Sequence, residues 1–172
     1  LGQVGARVAH CPKTNAKLGH GIAPPTAMLD ANVTAGLGTD SVASNNRCDL
    51  IAEARFCGLV HRAASRRFLH PSAERLLQLA TIDGACALRL EHQIGSLEAG
   101  KQADLVAIDL SATHNTPVHD LVATILFSAL STDVIHTTVA GRVLFDGRAV
   151  KSVDEADLRA RANAARLRMR AS

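Results

Sequence analysis

In the N-terminal half of the chain, the spacing of apolar residues predicts alternating strands and helices. Two short apolar runs are bounded by Gly, Pro and Asn, which is typical of strands in a buried sheet. Elsewhere, apolar residues recur at helical spacing, which predicts helices with one buried face. The predicted strands cover residues 6–10 and 33–37, a loop covers 11–25, and the predicted helices cover 26–31, 49–64, 72–79 and 81–90. This order predicts an α/β fold with a parallel sheet.

After Ile94 the pattern changes to short apolar runs separated by glycines. These runs predict a small β-rich unit with strands at residues 105–108, 134–139 and 142–145. The pair Asp146-Gly147 is typical of a hairpin turn. The predicted organisation is therefore an α/β part over residues 1–92, a β-rich part over 93–150 and a C-terminal helix over 151–172.

The C-terminal segment predicts an amphipathic helix. Ser152 and Glu155 have the spacing of a capping box. One face of the helix would carry a packing stripe, formed by Leu158, Ala162, Ala165 and Met169. Lys151 and five arginines against three acidic residues give this segment a charge of +3, which is the whole net charge of the chain. Because the chain contains no Trp or Tyr, it has no aromatic platform for bases, and we predict no nucleic-acid binding.

Composition excludes several classes of protein. With 172 residues, of which 47% are hydrophobic, the chain can bury a core and is not a low-complexity disordered segment. The longest mostly apolar run, residues 121–130, is about half of the roughly 20 residues that cross a bilayer. The four cysteines form no CxxC pair, which favours free thiols in a reducing compartment. We therefore expect a cytoplasmic protein with no membrane segment.

Two polar residues stand where predicted parallel strands end. His10 closes the first strand and Asp40 follows the second. Because parallel sheets and barrels carry their chemistry at the carboxyl ends of strands, both residues are candidates for one site. Taken alone, an aspartate at this place is more often a turn or helix-capping residue, and a single histidine is more often a hydrogen-bonded structural residue. The residues by themselves leave these alternatives open.

Other motifs are weaker. Gly36 and Gly38 lie at the end of a predicted strand, but Ser41 stands where a dinucleotide fingerprint needs its third glycine, so a nucleotide fold is not favoured. The eight histidines include neither HxH nor HExxH, and no self-contained zinc site can be drawn from the sequence. No GxSxG elbow marks a serine nucleophile.

Five segments, in order, resemble the amidohydrolase superfamily. They are HCPKTNAKLGHGIAP at residues 10–24, GLGTDSVASNN at 36–46, TIDGA at 81–85, IGSLEAGKQADLV at 94–106 and VAGRV at 139–143. The branch that they resemble is the methylthioadenosine/S-adenosylhomocysteine deaminase and triazine (chloro)hydrolase group. The resemblance spans roughly residues 4–150 and rests on several motifs in the same order.

The resemblance implies an α/β fold: the C-terminal part of a metal-dependent (β/α)8 TIM barrel, with strands seven and eight, plus the C-terminal share of a small β-sandwich. It places Asp40 at the end of strand eight, where it would contact a divalent metal ion and take the proton of the attacking water. His10 and Asn15 lie in the family's HCP motif and would shape the site. The implied enzyme is a hydrolase acting on carbon–nitrogen bonds other than peptide bonds. Its substrate would be a small N-heteroaromatic molecule, an aminopurine nucleoside or a triazine, that is deaminated or dehalogenated.

The same resemblance implies one divalent metal ion in the intact enzyme, zinc or else iron, and a homo-oligomer. The family's HxH on strand one and its histidines on strands five and six have no counterpart here. We therefore expect a C-terminal fragment that holds no metal by itself and is inactive alone. The alternative hypothesis is a non-catalytic interaction module that binds a partner subunit or an acidic surface through its β-rich part and basic helix.

Overall fold

The computed structural model describes residues 2–170, apart from the side chains of residues 25, 26, 29 and 170. Two short strands, β1 (Arg7–His10) and β2 (Thr34–Leu37), pair in parallel, with Arg7 opposite Thr34 and His10 opposite Leu37. Both strands confirm the predicted pair. Their carboxyl ends lie side by side at one edge of the sheet.

Two helices connect the strands, α1 (Pro12–Lys17) and α2 (Pro25–Asp30). The prediction of a continuous loop over 11–25 is wrong at α1. Pro12 occupies the first turn of that helix. Backbone N–H groups in the first turn make no hydrogen bond within the helix, so proline loses nothing by lacking one, and its fixed φ suits the helix. Pro12, which favoured a loop at the sequence level, therefore starts a helix.

Four helices follow β2 and confirm the predicted helical stretch, with an extra short turn at its start. They are α3 (Val42–Asn45), α4 (Leu50–Ser65), α5 (Ala73–Ala80) and α6 (Ile82–Leu88). Asp49 caps α4 by accepting a hydrogen bond from the Ala52 N–H at 2.9 Å, and Ser72 caps α5 by accepting one from the Arg75 N–H at 3.2 Å. These caps satisfy N–H groups that the first helical turn leaves free.

The apolar core lies between β2 and three of the helices. It includes a further helix, α7 (Leu121–Phe127), which lies in the apolar run at 121–130 and was not predicted from the sequence. The buried core residues are Leu37, Ala54, Cys57, Ala73, Leu76, Leu79 and Leu126. Gly36 has a separate packing role, because a Cβ there would lie 2.5 Å from the Gly84 Cα. The glycine of β2 therefore allows close approach of α6 and belongs to no nucleotide fingerprint.

The β-rich part is a three-stranded antiparallel sheet in the order β3, β4, β5. Its strands are β3 (Leu105–Ile108), β4 (Val134–Val139) and β5 (Arg142–Phe145), as predicted. Ala140 and Gly141, both with positive φ, join β4 to β5. The predicted turn at Asp146-Gly147 follows β5 and returns the chain to a single bridge between Phe145 and Val150.

The last helix, α8 (Glu155–Arg170), confirms the predicted C-terminal helix but corrects two details. Asp154, and not Ser152, caps it, since its Oδ1 accepts hydrogen bonds from the Ala156 and Asp157 N–H groups. The expected packing stripe is exposed, with Leu158 at 52% and Met169 at 72% exposure. Across residues 2–170, no helix combines the length and hydrophobicity that a bilayer crossing requires.

Candidate functional site

The carboxyl ends of β1 and β2 meet and bring two loops together. The Gly38 N–H donates to the His10 carbonyl at 2.9 Å and continues the pairing beyond β2. As a result, the segment after His10 and the segment that holds Asp40 are neighbours in space. The edge on which they lie is where parallel sheets carry catalytic groups.

Asp40 has an exposed side chain on a strained piece of backbone. Its φ is 57°, in the left-handed region, which aspartate tolerates better than most residues. The two carboxylate oxygens accept hydrogen bonds at 2.8 Å, one from the Ser44 hydroxyl and one from the Ser41 N–H. The Ser44 and Ser41 hydrogen bonds lower the pKa of Asp40 below its usual value. The structure therefore holds Asp40 ionised, oriented and open to solvent.

A buried carboxylate ties the two loops together. Glu53, on the first turns of α4, is fully buried. One oxygen accepts from the Lys13 N–H at 2.8 Å and the other from Asn45 Nδ2 at 2.8 Å. Asn45 Nδ2 also donates to the Thr39 carbonyl at 2.7 Å, next to Asp40. Glu53 thus joins the segments that hold Lys13 and Asn45, and sequence reasoning missed it because the contact with Lys13 spans 40 residues.

Two carboxylates act on Cys11, which lies between the loops, and Lys13 Nζ pairs with one of them, Glu53, at 3.9 Å. The Cys11 side chain is half-buried, and its burial, the Asp40 charge and the Glu53 charge together raise the pKa of its thiol. Both carboxylates are therefore close enough to act on one group between the loops. The space between the two carboxylates favours the binding of a cation or the transfer of a proton to one of the carboxylates.

His10 is buried and faces α4. Its Nε2 lies 3.4 Å from His61 Nε2. Burial and the neighbouring His61 lower the pKa of His10 to about 4, and burial lowers that of His61. Both rings are therefore neutral near pH 7. Cys57, one turn before His61, is buried beside them, and burial together with the Glu53 charge raises the pKa of its thiol to about 12.

Asn15 lies half-buried on α1. It lines a cavity of about 10 Å³ together with His10, Pro12, Ala16 and Val60. Its carbonyl accepts a hydrogen bond from the His20 N–H at 2.8 Å. The structure thus brings His10 and Asn15, both predicted to shape a site, to the same small cavity.

Asp40 has no companion ligands within the described chain. Among residues 2–170, the group of His, Cys, Asp and Glu side chains spaced to hold a metal consists of His10, Cys57 and His61 and leaves Asp40 out. A catalytic zinc site takes three protein ligands or more. The described residues therefore do not make a complete metal site at Asp40.

Comparison with known proteins decides the family. The model of the amidohydrolase family matches residues 3–144. The chain belongs to the amidohydrolase family. Its relatives include the 5-methylthioadenosine/S-adenosylhomocysteine deaminase of Haloarcula marismortui, 42% identical over 95% of this chain and 37% of that protein. An S-triazine hydrolase of Gordonia rubripertincta is 42% identical over 83% of this chain and 30% of that protein.

Solved structures agree with this membership. A zinc-bound adenosine deaminase from Xanthomonas campestris superposes with a TM-score of 0.92 at 37% identity, over 96% of this chain and 38% of that one. A zinc complex of atrazine chlorohydrolase from Arthrobacter aurescens gives a TM-score of 0.86 at 30% identity, over 95% of this chain and 36% of that one. The amidohydrolase α/β fold is therefore confirmed. The chain spans 30–38% of the length of the relatives reported above.

Proposed function

We propose that this chain is the C-terminal portion of a hydrolase that removes an amino group from an N-heteroaromatic ring, with an aminopurine nucleoside as substrate. The deaminases among its relatives support the reaction class. In this proposal β1 and β2 are the seventh and eighth strands of a (β/α)8 barrel. Residues 94–150 then contribute to a small β-sandwich.

The observation that carries the proposal is the state of Asp40. It is an exposed, ionised carboxylate at the end of β2, oriented by Ser41 and Ser44. In the proposed reaction, water adds to the ring carbon that bears the amino group, and Asp40 accepts the proton that the water loses. The ring carbon–nitrogen bond then breaks, and the departing amino group takes up the one proton that Asp40 accepted from the water and leaves as ammonia.

Three other groups support Asp40 in this proposal. Glu53 positions the two loops through Lys13 and Asn45. His10 and Asn15 shape the wall below the substrate. Activation of the water would come from a divalent metal ion, zinc in the solved relatives, with Asp40 as one ligand and the others from protein outside this chain.

Dehalogenation of a triazine is the second candidate, because the triazine hydrolase and the chlorohydrolase match the same segments of the chain. The same addition of water would release chloride in place of ammonia. A homo-oligomeric state and a cytoplasmic location remain predictions.

The test uses the whole protein, purified with zinc. Ammonia release is measured with adenosine, 5-methylthioadenosine and S-adenosylhomocysteine, and chloride release with a chlorotriazine. We expect ammonia from at least one nucleoside. Chloride release alone would favour the second candidate, and absence of both products from a folded, zinc-loaded protein would contradict the proposed reaction class.

A further inference from the structure

We propose that His10, Cys57 and His61 form a buried binding site for a borderline divalent metal ion such as Zn²⁺, separate from Asp40. The three side chains come from the end of β1 and from consecutive turns of α4, and all three are buried. The inference does not depend on the proposed function, and it replaces the expectation that this chain holds no metal by itself.

The distances fit a metal ion. The three ligand atoms lie within 4.8 Å of one another. The two imidazole nitrogens are 3.4 Å apart. Two nitrogens bound to one zinc ion at about 2.0–2.1 Å with a tetrahedral angle lie roughly 3.4 Å apart. The histidine pair therefore already has the separation that a shared zinc ion imposes, and the sulfur needs only a short approach.

The donor set selects the class of metal. Two imidazole nitrogens and one thiol sulfur suit zinc, cobalt and copper, whereas calcium and magnesium take oxygen ligands. Both rings are neutral in the folded chain, which is the form that binds a metal. The cluster accordingly matches a nitrogen and sulfur site.

The local fold explains why the ligands converge. Cys57 and His61 are four residues apart on α4, so they share the face that packs towards the end of β1. Glu53 lies one turn earlier on the same helix and is fully buried. Its negative charge opposes the thiolate of Cys57 alone but attracts a divalent cation. The charge that keeps the empty thiol protonated therefore favours the loaded site.

Metal binding releases one proton from the site. The Cys57 thiol gives up its proton to solvent, and the thiolate and the two imidazoles coordinate the ion. A fourth ligand, such as a water molecule, would complete the tetrahedral coordination that zinc favours. Without a metal, the same pair of rings shares one hydrogen bond, one nitrogen donating and the other accepting.

The experiment titrates the metal-free 172-residue chain with Co²⁺, followed by Zn²⁺. We expect one cobalt per chain, a thiolate-to-cobalt charge-transfer band in the near ultraviolet and tetrahedral bands in the visible, all displaced by zinc. Cys57→Ala should abolish the charge-transfer band, and His61→Gln should weaken cobalt binding by more than about 100-fold, beyond the loss of an outer-shell partner. Cys86→Ser and Asp40→Asn are the controls and should keep the full spectrum.

The outcomes separate the alternatives. A cobalt band that disappears in Asp40→Asn but persists in Cys57→Ala would overturn the proposal, because the ion would then belong to the Asp40 site. A titration of the wild-type chain without any charge-transfer band would overturn it as well. As a second measurement, one equivalent of zinc should raise the unfolding midpoint of the wild type and of Cys86→Ser but not that of Cys57→Ala. An equal rise in all three would contradict the assigned ligands.

Discussion

The part around α4 and the three-stranded sheet differ in what they bury. Around α4, the side chains of Glu53, His10 and Asn45 are buried. Asn45 donates a hydrogen bond to Glu53, and the His10 ring pairs with the ring of His61. In the sheet, Leu105 and Val106 are 37% and 54% exposed. Because adjacent residues of a strand point to opposite faces, both faces of β3 are open within the described residues.

This contrast locates the chemistry. A buried polar group lowers stability unless it has partners, so a network of such groups marks a place that the fold holds in one geometry. The sheet exposes apolar side chains and, in the part of the chain that the structure describes, has no comparable buried polar network, and its three strands are joined by the β3–β4 and β4–β5 hydrogen-bond ladders. The difference in burial can be tested by pairing a variant around α4 with one in the C-terminal part.

The largest loss of stability is expected for Glu53→Ala. The change leaves the Lys13 N–H and Asn45 Nδ2 without their acceptor in a buried place, which should cost about 3–5 kcal/mol of unfolding free energy. Urea unfolding followed by circular dichroism measures it. The matched control is Glu155→Ala on α8, which removes an exposed pair with Arg159 and should cost less than about 0.5 kcal/mol. Equal losses of unfolding free energy in the two variants would contradict the difference between the buried polar groups around α4 and the exposed pairs of α8.

Core packing gives the next largest effect. Leu76 on α5 is fully buried against Gly58 and the α4 face, and Leu76→Ala should cost about 2–5 kcal/mol through lost contacts and a cavity. Leu158→Ala changes the same side chain on exposed α8 and should stay within about 0.5 kcal/mol. The same denaturation assay compares them. A larger loss at Leu158 than at Leu76 would show that the apolar stripe of α8 packs in solution.

Acid should weaken the two parts in different pH ranges. His10 faces His61 and Cys57, and burial lowers its pKa from 6.5 to about 4, so in the metal-free chain its contribution to stability falls as the pH drops from 6.5 towards 4. Asp133 faces His114 and Asp109. Hydrogen bonds from the Leu130 N–H and the His114 ring lower its pKa from 3.8 to about 2, so its contribution is present above 3.8 and is lost as the pH falls through 2.

Measuring the unfolding free energy as a function of pH tests the predicted direction of change for each group. His10→Gln should flatten the curve between pH 6.5 and 4 and leave the lower range unchanged. Asp133→Asn should flatten it between 3.8 and 2. If both variants altered the unfolding free energy in the same pH range, the assignment of one range to His10 and the other to Asp133 would be wrong.

The smallest effect is expected on α8. Arg161→Ala removes an exposed contact of 3.4 Å with Asp157, one turn away, and should change stability by less than about 0.5 kcal/mol. The effect should shrink further when salt is added, since exposed pairs are screened. A loss above 1 kcal/mol in urea unfolding, the scale of a buried hydrogen bond, would assign Arg161 a partner beyond Asp157.

The sequence predicted elements better than connections between them. Strands β1 and β2 and the helices after them follow from apolar spacing, which local residues determine. The helix at Pro12 was missed because proline favours both a break and a helix start. The exposed face of α8 was missed because amphipathic spacing shows which face is apolar and not whether anything covers it.

The candidate site shows the same limit. Asp40 and His10 were visible as strand-end residues, and that placement is confirmed, although their roles remain predictions. Glu53 contacts Lys13 across 40 residues, and His10 contacts His61 across 51. The four-residue spacing of Cys57 and His61 was the one local signal of the cluster that they form with His10.

The central claim is that Asp40 accepts a proton in the reaction of the whole protein. The direct measurement is the turnover number of Asp40→Asn on the best nucleoside substrate, with zinc content determined in the same sample and Asp157→Asn as a control on α8. The account predicts a loss of more than about 100-fold in Asp40→Asn, the scale of a lost general base, and unchanged turnover in the control. Retention of more than about a tenth of the turnover number, a barrier change below ~1.4 kcal/mol, would contradict it.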